Sequence, residues 1–264
     1  MKKSESNQKI GKIYAVGVGP GDPELLTLKA VRILGGCGVI AVPKSRRDGE
    51  SMALGIIGKA VDLDGKKILD IHFPMVKDLS PKALEPAAQS ILDVVKQGKD
   101  LAFVTLGDPS IYSTFFRLRQ ALLFLEPALE VEIVPGVTAI TAAAARTGRG
   151  LALSGEKIAI VPATYVTRRA GEAHHMAEGL EEILNRFECV ALMKVHSVFP
   201  EVKKMLEKTG HIDNAVYVCR AGLDGEVIKP VPEVEEKDLD YFSTIIVTTE
   251  KWNGPRRNVT GEMI

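Results

Sequence analysis

KIYAVGVGPGDPELLTLKAVRIL, residues 12–34, carries the pattern from which the architecture follows. An apolar run, KIYAVGV (12–18), ends in a glycine-rich turn, and LLTLKAVRIL (25–34) then repeats apolar residues at helical spacing. Strand, turn and helix in that order open a βαβ unit. The alternation continues, with strands predicted at 38–43, 67–73, 100–109 and 131–136. Helices are predicted at 51–60, 84–98, 111–125 and 138–148, and Pro86 suits a first helical turn. Strands separated by helices of this length predict right-handed crossovers and a mainly parallel sheet. Ligands in such sheets collect at the carboxyl ends of the strands. GVGPGD (17–22), LGDPS (106–110) and VPGVT (134–138) all fall at strand ends, so they should converge on one site.

Beyond this the pattern loosens. RTGRGLALSGEK (146–157) reads as a linker, followed by strands KIAIVPA (157–163), ECVALMKV (188–195), AVYVCRAG (215–222) and STIIVTTE (243–250). Helices are expected near 176–186 and 198–208, and residues 221–243 mix turns with short extended pieces. The prediction is two α/β domains with an active-site cleft between them. Residues 10–145 form a mainly parallel sheet with flanking helices and the glycine-rich loops; residues 146–264 form a mixed-sheet, α+β-like domain that completes the site.

Composition narrows the function classes. Among 264 residues, 34 Lys+Arg balance 34 Asp+Glu, which argues against a dedicated nucleic-acid binder. The longest nearly uncharged stretch, Ile33 to Pro43, is broken by glycines and is far shorter than the ~20 residues of a membrane span. MKKSESNQKI (1–10) lacks the apolar segment of a signal peptide and reads as a frayed tail. A cytoplasmic protein without membrane or nucleic-acid partners is expected. Cys37, Cys189 and Cys219 lie far apart with apolar flanks and should be buried, inert thiols. His174 and His175 are adjacent, so they point in different directions and make a poor metal pair. No metal site is expected.

The first loop resembles a dinucleotide fingerprint, but Asp22 stands where GxGxxG needs its last glycine, and no GK[ST] follows. A carboxylate there repels a pyrophosphate, so nucleotide phosphate binding is disfavoured. Asp22-Pro23-Glu24 also reads as N-cap, first helical position and first-turn acid. Asp22 is therefore either a cap alone or a cap that also touches substrate. Gly107 and Asp108 repeat the logic at the fourth strand, and Thr138 places a hydroxyl after the third loop.

YAVGVGPGDPELLTLKAVRIL (14–34), VTLGDPSIYSTF (104–115) and VEIVPGVTAITAAAA (131–145), in this order and spacing, resemble the tetrapyrrole (corrin) methyltransferases dependent on S-adenosylmethionine. The resemblance runs from Lys12 to Thr249. Tyr-Ser-Thr after GDPSI, EKIAIVPA (156–163), CRAGL (219–223) and YFS (241–243) are similar to the branch that methylates precorrin-2 at C-20 in cobalamin biosynthesis. Other corrin-ring and uroporphyrinogen methylases are the rivals within the family.

The resemblance implies a methyl donor folded between the domains, held largely by main-chain groups, and leaving as S-adenosylhomocysteine. The matching positions are Pro20 in the first loop, Leu106, Gly107, Asp108 and Ile111 in the second, and Thr138 and Ala139 in the third. Met193 matches the apolar residue under the adenine, and Ala221 stands where relatives often carry glycine. The resemblance also implies a homodimer. Asp22, Asp108 and Tyr112 are the unranked candidates for the catalytic base. Lys44, Arg46, Arg47, Arg146, Arg149, Arg168 and Arg169 suit a rim for a macrocycle bearing many carboxylates. Whether that macrocycle carries cobalt is left open. A non-catalytic tetrapyrrole-binding protein and a nicotinamide-dependent oxidoreductase with an irregular fingerprint are the rivals from other classes.

Overall fold

The computed structural model describes residues 10–44, 51–73, 80–167, 179–252 and 254. The chain divides into two compact units, the first through Thr138 and the second from Ala139. His174, His175, Arg46, Arg47, Arg168 and Arg169 lie outside the described residues, as do the first nine residues.

The strands of the first unit are β1 (Ile13–Gly17), β2 (Val39–Lys44), β3 (Lys67–His72), β4 (Leu101–Thr105) and β5 (Val131–Val134). They form one sheet in the order β3-β2-β4-β1-β5, every pair parallel. Period-two alternation splits each central strand between two cores. Ile13, Ala15, Leu101 and Phe103 pack with α3 (Glu85–Val95) and α4 (Phe115–Leu125). Val16, Ala102 and Val104 pack with α1 (Leu28–Gly36) and α2 (Met52–Ile57). In α1, Ala30, Ile33 and Leu34 recur at helical spacing, with Cys37 one turn on, and give the helix its buried stripe.

The second unit contains α5 (Ala139–Thr147), β6 (Ile158–Pro162), α6 (Ala163–Val166), α7 (Leu180–Arg186), β7 (Cys189–Met193) and α8 (Phe199–Lys208). It closes with β8 (Ala215–Cys219), β9 (Val227–Pro230) and β10 (Ser243–Val247). The sheet order is β6-β7-β10-β8-β9; only β6 and β7 are parallel. One face packs Val190, Leu192, Tyr217 and Ile245 against α7 and α8. The other lays Cys189, Val216, Val218 and Ile246 against Ala143 and Ala144 of α5, whose short side chains permit a close approach.

All three cysteines are free and buried; burial pushes the Cys37 and Cys189 thiols up to about 11, and raises that of Cys219. None is a thiolate nucleophile near neutral pH.

Candidate functional site

The three loops at the carboxyl ends of β1, β4 and β5 meet by main-chain contact. Val18 N donates to Thr105 O at 3.0 Å, prolonging the β1–β4 pairing by one rung. Gly19 and Gly107 then form an antiparallel bridge: Gly107 N donates to Gly19 O at 2.8 Å and Gly19 N to Gly107 O at 3.3 Å. Both have positive φ, 76° and 67°, which favours glycine. Gly17 and Gly136 are glycines for a different reason. A Cβ on Gly17 would sit 2.6 Å from Gly107 O and 2.7 Å from Gly136 N; one on Gly136 would sit 2.3 Å from Gly107 O. Three backbones therefore cross where no side chain fits. The convergence expected from the motifs is present.

Asp108 locks the crossing. Its Oδ1 accepts from Ser110 N at 2.7 Å and from the Ser110 hydroxyl, while Oδ2 accepts from Gly136 N at 2.9 Å, joining the second loop to the third. Burial raises the Asp108 pKa, but the bonds from Ser110 and Gly136 prevail and hold it below the ordinary carboxylate value. Asp108 is ionised, with hydrogen bonds at both oxygens. Thr27 ties in from the first segment: its hydroxyl accepts from Ala30 N at 3.1 Å, capping α1, and donates to Pro135 O at 3.5 Å.

Asp22 caps as expected, but it caps a 3₁₀ turn, Pro23–Leu25, rather than the α-helix. Its Oδ1 accepts from Glu24 N at 2.9 Å; no donor among the described residues reaches Oδ2. The helix restarts after Thr27, so the predicted start at 25 falls on the last residue of the 3₁₀ turn. Tyr112 has φ 49°, a conformation a bulky residue rarely adopts, and about half its surface is exposed. Burial of the remainder raises its phenol pKa, keeping it protonated near neutral pH. The left-handed kink explains why the helix predicted from 111 begins at Phe115. Ser113 Oγ accepts from Phe115 N at 3.1 Å there. Pro20, Leu106, Ile111 and Thr138 are half-buried around these loops, whereas the main-chain polar groups of Gly107 are engaged by Gly19.

The remaining expected positions lie on the second unit. Ala139 opens α5. Met193 ends β7, paired with Pro162 of β6 and Thr244 of β10. Cys219 of β8 pairs with Ser243, so Ala221 follows at the same sheet end. Left-handed residues end both strands, Lys194 at φ 57° and Arg220 at φ 53°. Their amides are anchored by the YFS segment, Lys194 N to Ser243 O at 3.0 Å and Arg220 N to Phe242 O at 2.9 Å. Sequence reading ran these strands on to 195 and 222, because nothing in a lysine or arginine announces a left-handed turn.

The cationic rim is only partly described. Lys44 pairs with Asp70 at 2.8 Å, and Arg146 with Glu226. Arg149 is partly buried and donates to Asn214 O at 3.1 Å, to Glu250 O and to the Thr248 hydroxyl. That set fastens the chain after β10 and makes Arg149 a structural residue. Sequence reading missed Ser110, although Asp-Pro-Ser after a glycine is the signature of an Asp side chain bonding two residues ahead. It also missed the crossing of Gly17 and Gly136, which depends on contacts distant in sequence. Among the described residues, no group of three or more His, Cys, Asp and Glu side chains is arranged to hold a metal, and no helix is long and apolar enough to cross a membrane.

Comparison with known proteins agrees with this architecture. The chain is 34% identical over 244 residues to the cobalt-precorrin-2 C(20)-methyltransferase of Salmonella typhimurium, covering 91% of this chain and 97% of that protein. It is 33% identical over 246 residues to the probable cobalt-precorrin-2 C(20)-methyltransferase of Methanocaldococcus jannaschii, covering 91% and 97%. The fold matches that of uroporphyrin-III C-methyltransferase from Thermus thermophilus, solved with S-adenosyl homocysteine, with a TM-score of 0.62 at 22% identity over 90% of this chain and 98% of that one. The sequence profile described as Tetrapyrrole (Corrin/Porphyrin) Methylases matches residues 12–235 and takes in all three crossing loops. The chain belongs to the tetrapyrrole (corrin/porphyrin) methylase family.

Proposed function

We propose that this protein methylates precorrin-2, or its cobalt complex, at C-20 in cobalamin biosynthesis, with S-adenosylmethionine as donor. The observation that carries the reading is the glycine crossing braced by Asp108. It is a main-chain surface from which side chains are excluded, at the strand ends where ligands of parallel sheets collect. Such a surface fits a sulfonium donor, because carbonyl oxygens stabilise positive charge without offering a competing nucleophile. In this reading the donor is held by Pro20, Leu106, Gly107, Asp108, Ile111, Thr138, Ala139, Met193 and Ala221. The protein works as a cytoplasmic homodimer.

The bound donor supplies an electrophilic methyl group. Positioning therefore provides most of the catalysis, and the residue still needed is one that accepts the proton lost from C-20. Asp108 is ill-suited, with both oxygens occupied and a depressed pKa; Tyr112 is protonated and suits donation. Asp22 keeps one oxygen without a donor among the described residues, so proton acceptance falls to it.

Asp22→Asn should melt close to wild type, because Asn caps about as well as Asp, while kcat falls at least ~100-fold. Asp22→Ala adds the loss of the cap, about 1 kcal/mol. Full turnover in a well-folded Asp22→Asn enzyme makes Asp22 a cap only. Titration calorimetry with S-adenosylhomocysteine and with NAD separates a methylase from a nicotinamide enzyme: the first is expected to bind and the second not to. In the same assay Thr138→Ala should weaken binding by about 1 kcal/mol, as loss of one neutral hydrogen bond does. Gly107→Val should do far more, by forcing a β-branched residue to positive φ. Equal effects of the two changes contradict a main-chain site.

A further inference from the structure

The turn from β8 to β9, residues 220–226, is tied to α5 by a side-chain pair. Arg146, in the last turn of that helix, meets Glu226 with a fork: Nε donates to Oε1 at 2.9 Å and to Oε2 at 3.0 Å, and a terminal nitrogen donates to Oε2 as well. Glu226 Oε1 also accepts from the Gly222 amide at 3.0 Å. The Glu226 side chain is 16% exposed against 52% for Arg146, so the carboxylate end is shielded from solvent.

Ala221 sits inside this brace. Arg220 before it and Gly222 after it have φ of 53° and 75°. A left-handed arginine carries a free-energy cost that its surroundings must offset. The offset is visible: Arg220 N bonds Phe242 O, Arg220 Nε donates to Asp224 O at 2.8 Å, and Leu223 N donates to Arg220 O at 2.8 Å. Those bonds come from within the turn or from its flank. Among the described residues the Gly222 amide is held by Glu226 alone, and Arg146 orients Glu226. Ala221 offers little but its main chain and a methyl group, so its usefulness depends on how the peptide bonds beside it are turned.

We propose that Arg146 and Glu226 are positioning residues for the methyl donor: the pair holds the Gly222 amide, and through it the Ala221 main chain, in the orientation that receives the donor. This inference rests on the reading of Ala221 as a donor contact. It assigns Arg146 to donor binding through Glu226, instead of to the carboxylates of the macrocycle.

Glu226→Gln, Arg146→Lys and the double variant test it, with S-adenosylhomocysteine affinity by calorimetry, kinetics against both substrates, and thermal melting. Arg146→Lys keeps the charge but loses the fork. Each single change is expected to weaken donor binding about tenfold, a 1.4 kcal/mol effect. The double variant should be little weaker than either, because both changes break one device. Donor KM should rise while kcat at saturating donor, macrocycle KM and melting temperature stay near wild type. Unchanged donor affinity in a folded Glu226→Gln or Arg146→Lys protein overturns the proposal, as does a rise in macrocycle KM alone. If Glu226→Gln fails to fold, Arg146→Lys decides. Gly107→Val in the first unit is the control: if wild type binds no S-adenosylhomocysteine, the donor reading itself fails. If wild type binds and Gly107→Val does not, a null result at the pair refutes positioning only.

Discussion

Gly136→Ala is expected to lower the melting temperature by about 6–12 °C and to remove measurable S-adenosylhomocysteine binding. The added Cβ would lie 2.3 Å from Gly107 O, 2.8 Å from Gly17 C and 2.9 Å from Gly17 Cα. All three are backbone atoms, so no side chain can swing aside to relieve the overlap. The loops must separate, and separation threatens the Asp108–Gly136 bond at 2.9 Å and the Gly19–Gly107 bridge. Overpacking of this kind costs about 3 kcal/mol, and a protein of this size loses roughly 2–4 °C for each. Gly35→Ala is the contrast, since nothing lies within 4 Å of the Cβ it would gain. Alanine at 35 should be neutral or slightly stabilising. Equal melting of the Gly136 and Gly35 variants would mean that the crossing is looser than the geometry states.

Asp108→Ala is expected to be nearly as damaging, for the opposite reason, since it removes an acceptor and adds no bulk. The amides of Ser110 and Gly136 and the Ser110 hydroxyl lose their partner together. Unmet donors of this kind cost about 1–3 kcal/mol each when buried, and partial exposure of the site brings the sum to roughly 3 kcal/mol. Asp108→Asn should fall between, keeping one acceptor oxygen and turning an amide group toward a donor. Acid titration offers a second readout. The folded-state pKa of Asp108 is depressed, so its ionised form stabilises the fold above the unfolded value. That contribution disappears as pH falls below about 4 through the folded value. Wild type should lose more stability in that window than Asp108→Asn. Parallel acid curves for the two proteins would leave Asp108 without its bracing role.

The parallel sheet was legible because its central strands are largely buried on both faces and its helices carry apolar residues at three- and four-residue spacing. The gathering of the three loops followed from the carboxyl-end rule alone. Three details were not legible, each resting on a property that the local residues do not display. The start of α1 is displaced because Asp22 caps only a 3₁₀ turn, while Thr27, held by Pro135 from another loop, caps the α-helix itself. The left-handed Tyr112, Lys194 and Arg220 end or delay elements that hydrophobic patterning would continue. The attachment of α5 to the second sheet depends on small residues, Ala143 and Ala144, meeting Val216, Val218 and Ile246 far along the chain. At the site, residue types pointed to the loops, but the pairing of Asp108 with Gly136 and of Arg146 with Glu226 joins residues far apart in the chain.

Incubation of the purified protein with S-adenosylmethionine carrying an isotopically labelled methyl group, and with metal-free or cobalt-loaded precorrin-2, shows whether this chain methylates C-20. Mass spectrometry counts the methyl groups gained and NMR locates them. A C-20 methylase places a single labelled methyl group on C-20 of at least one of the two macrocycles and forms one equivalent of S-adenosylhomocysteine. Label at a different ring position, label on uroporphyrinogen III in preference to precorrin-2, or donor binding with no transfer to either macrocycle would contradict that activity.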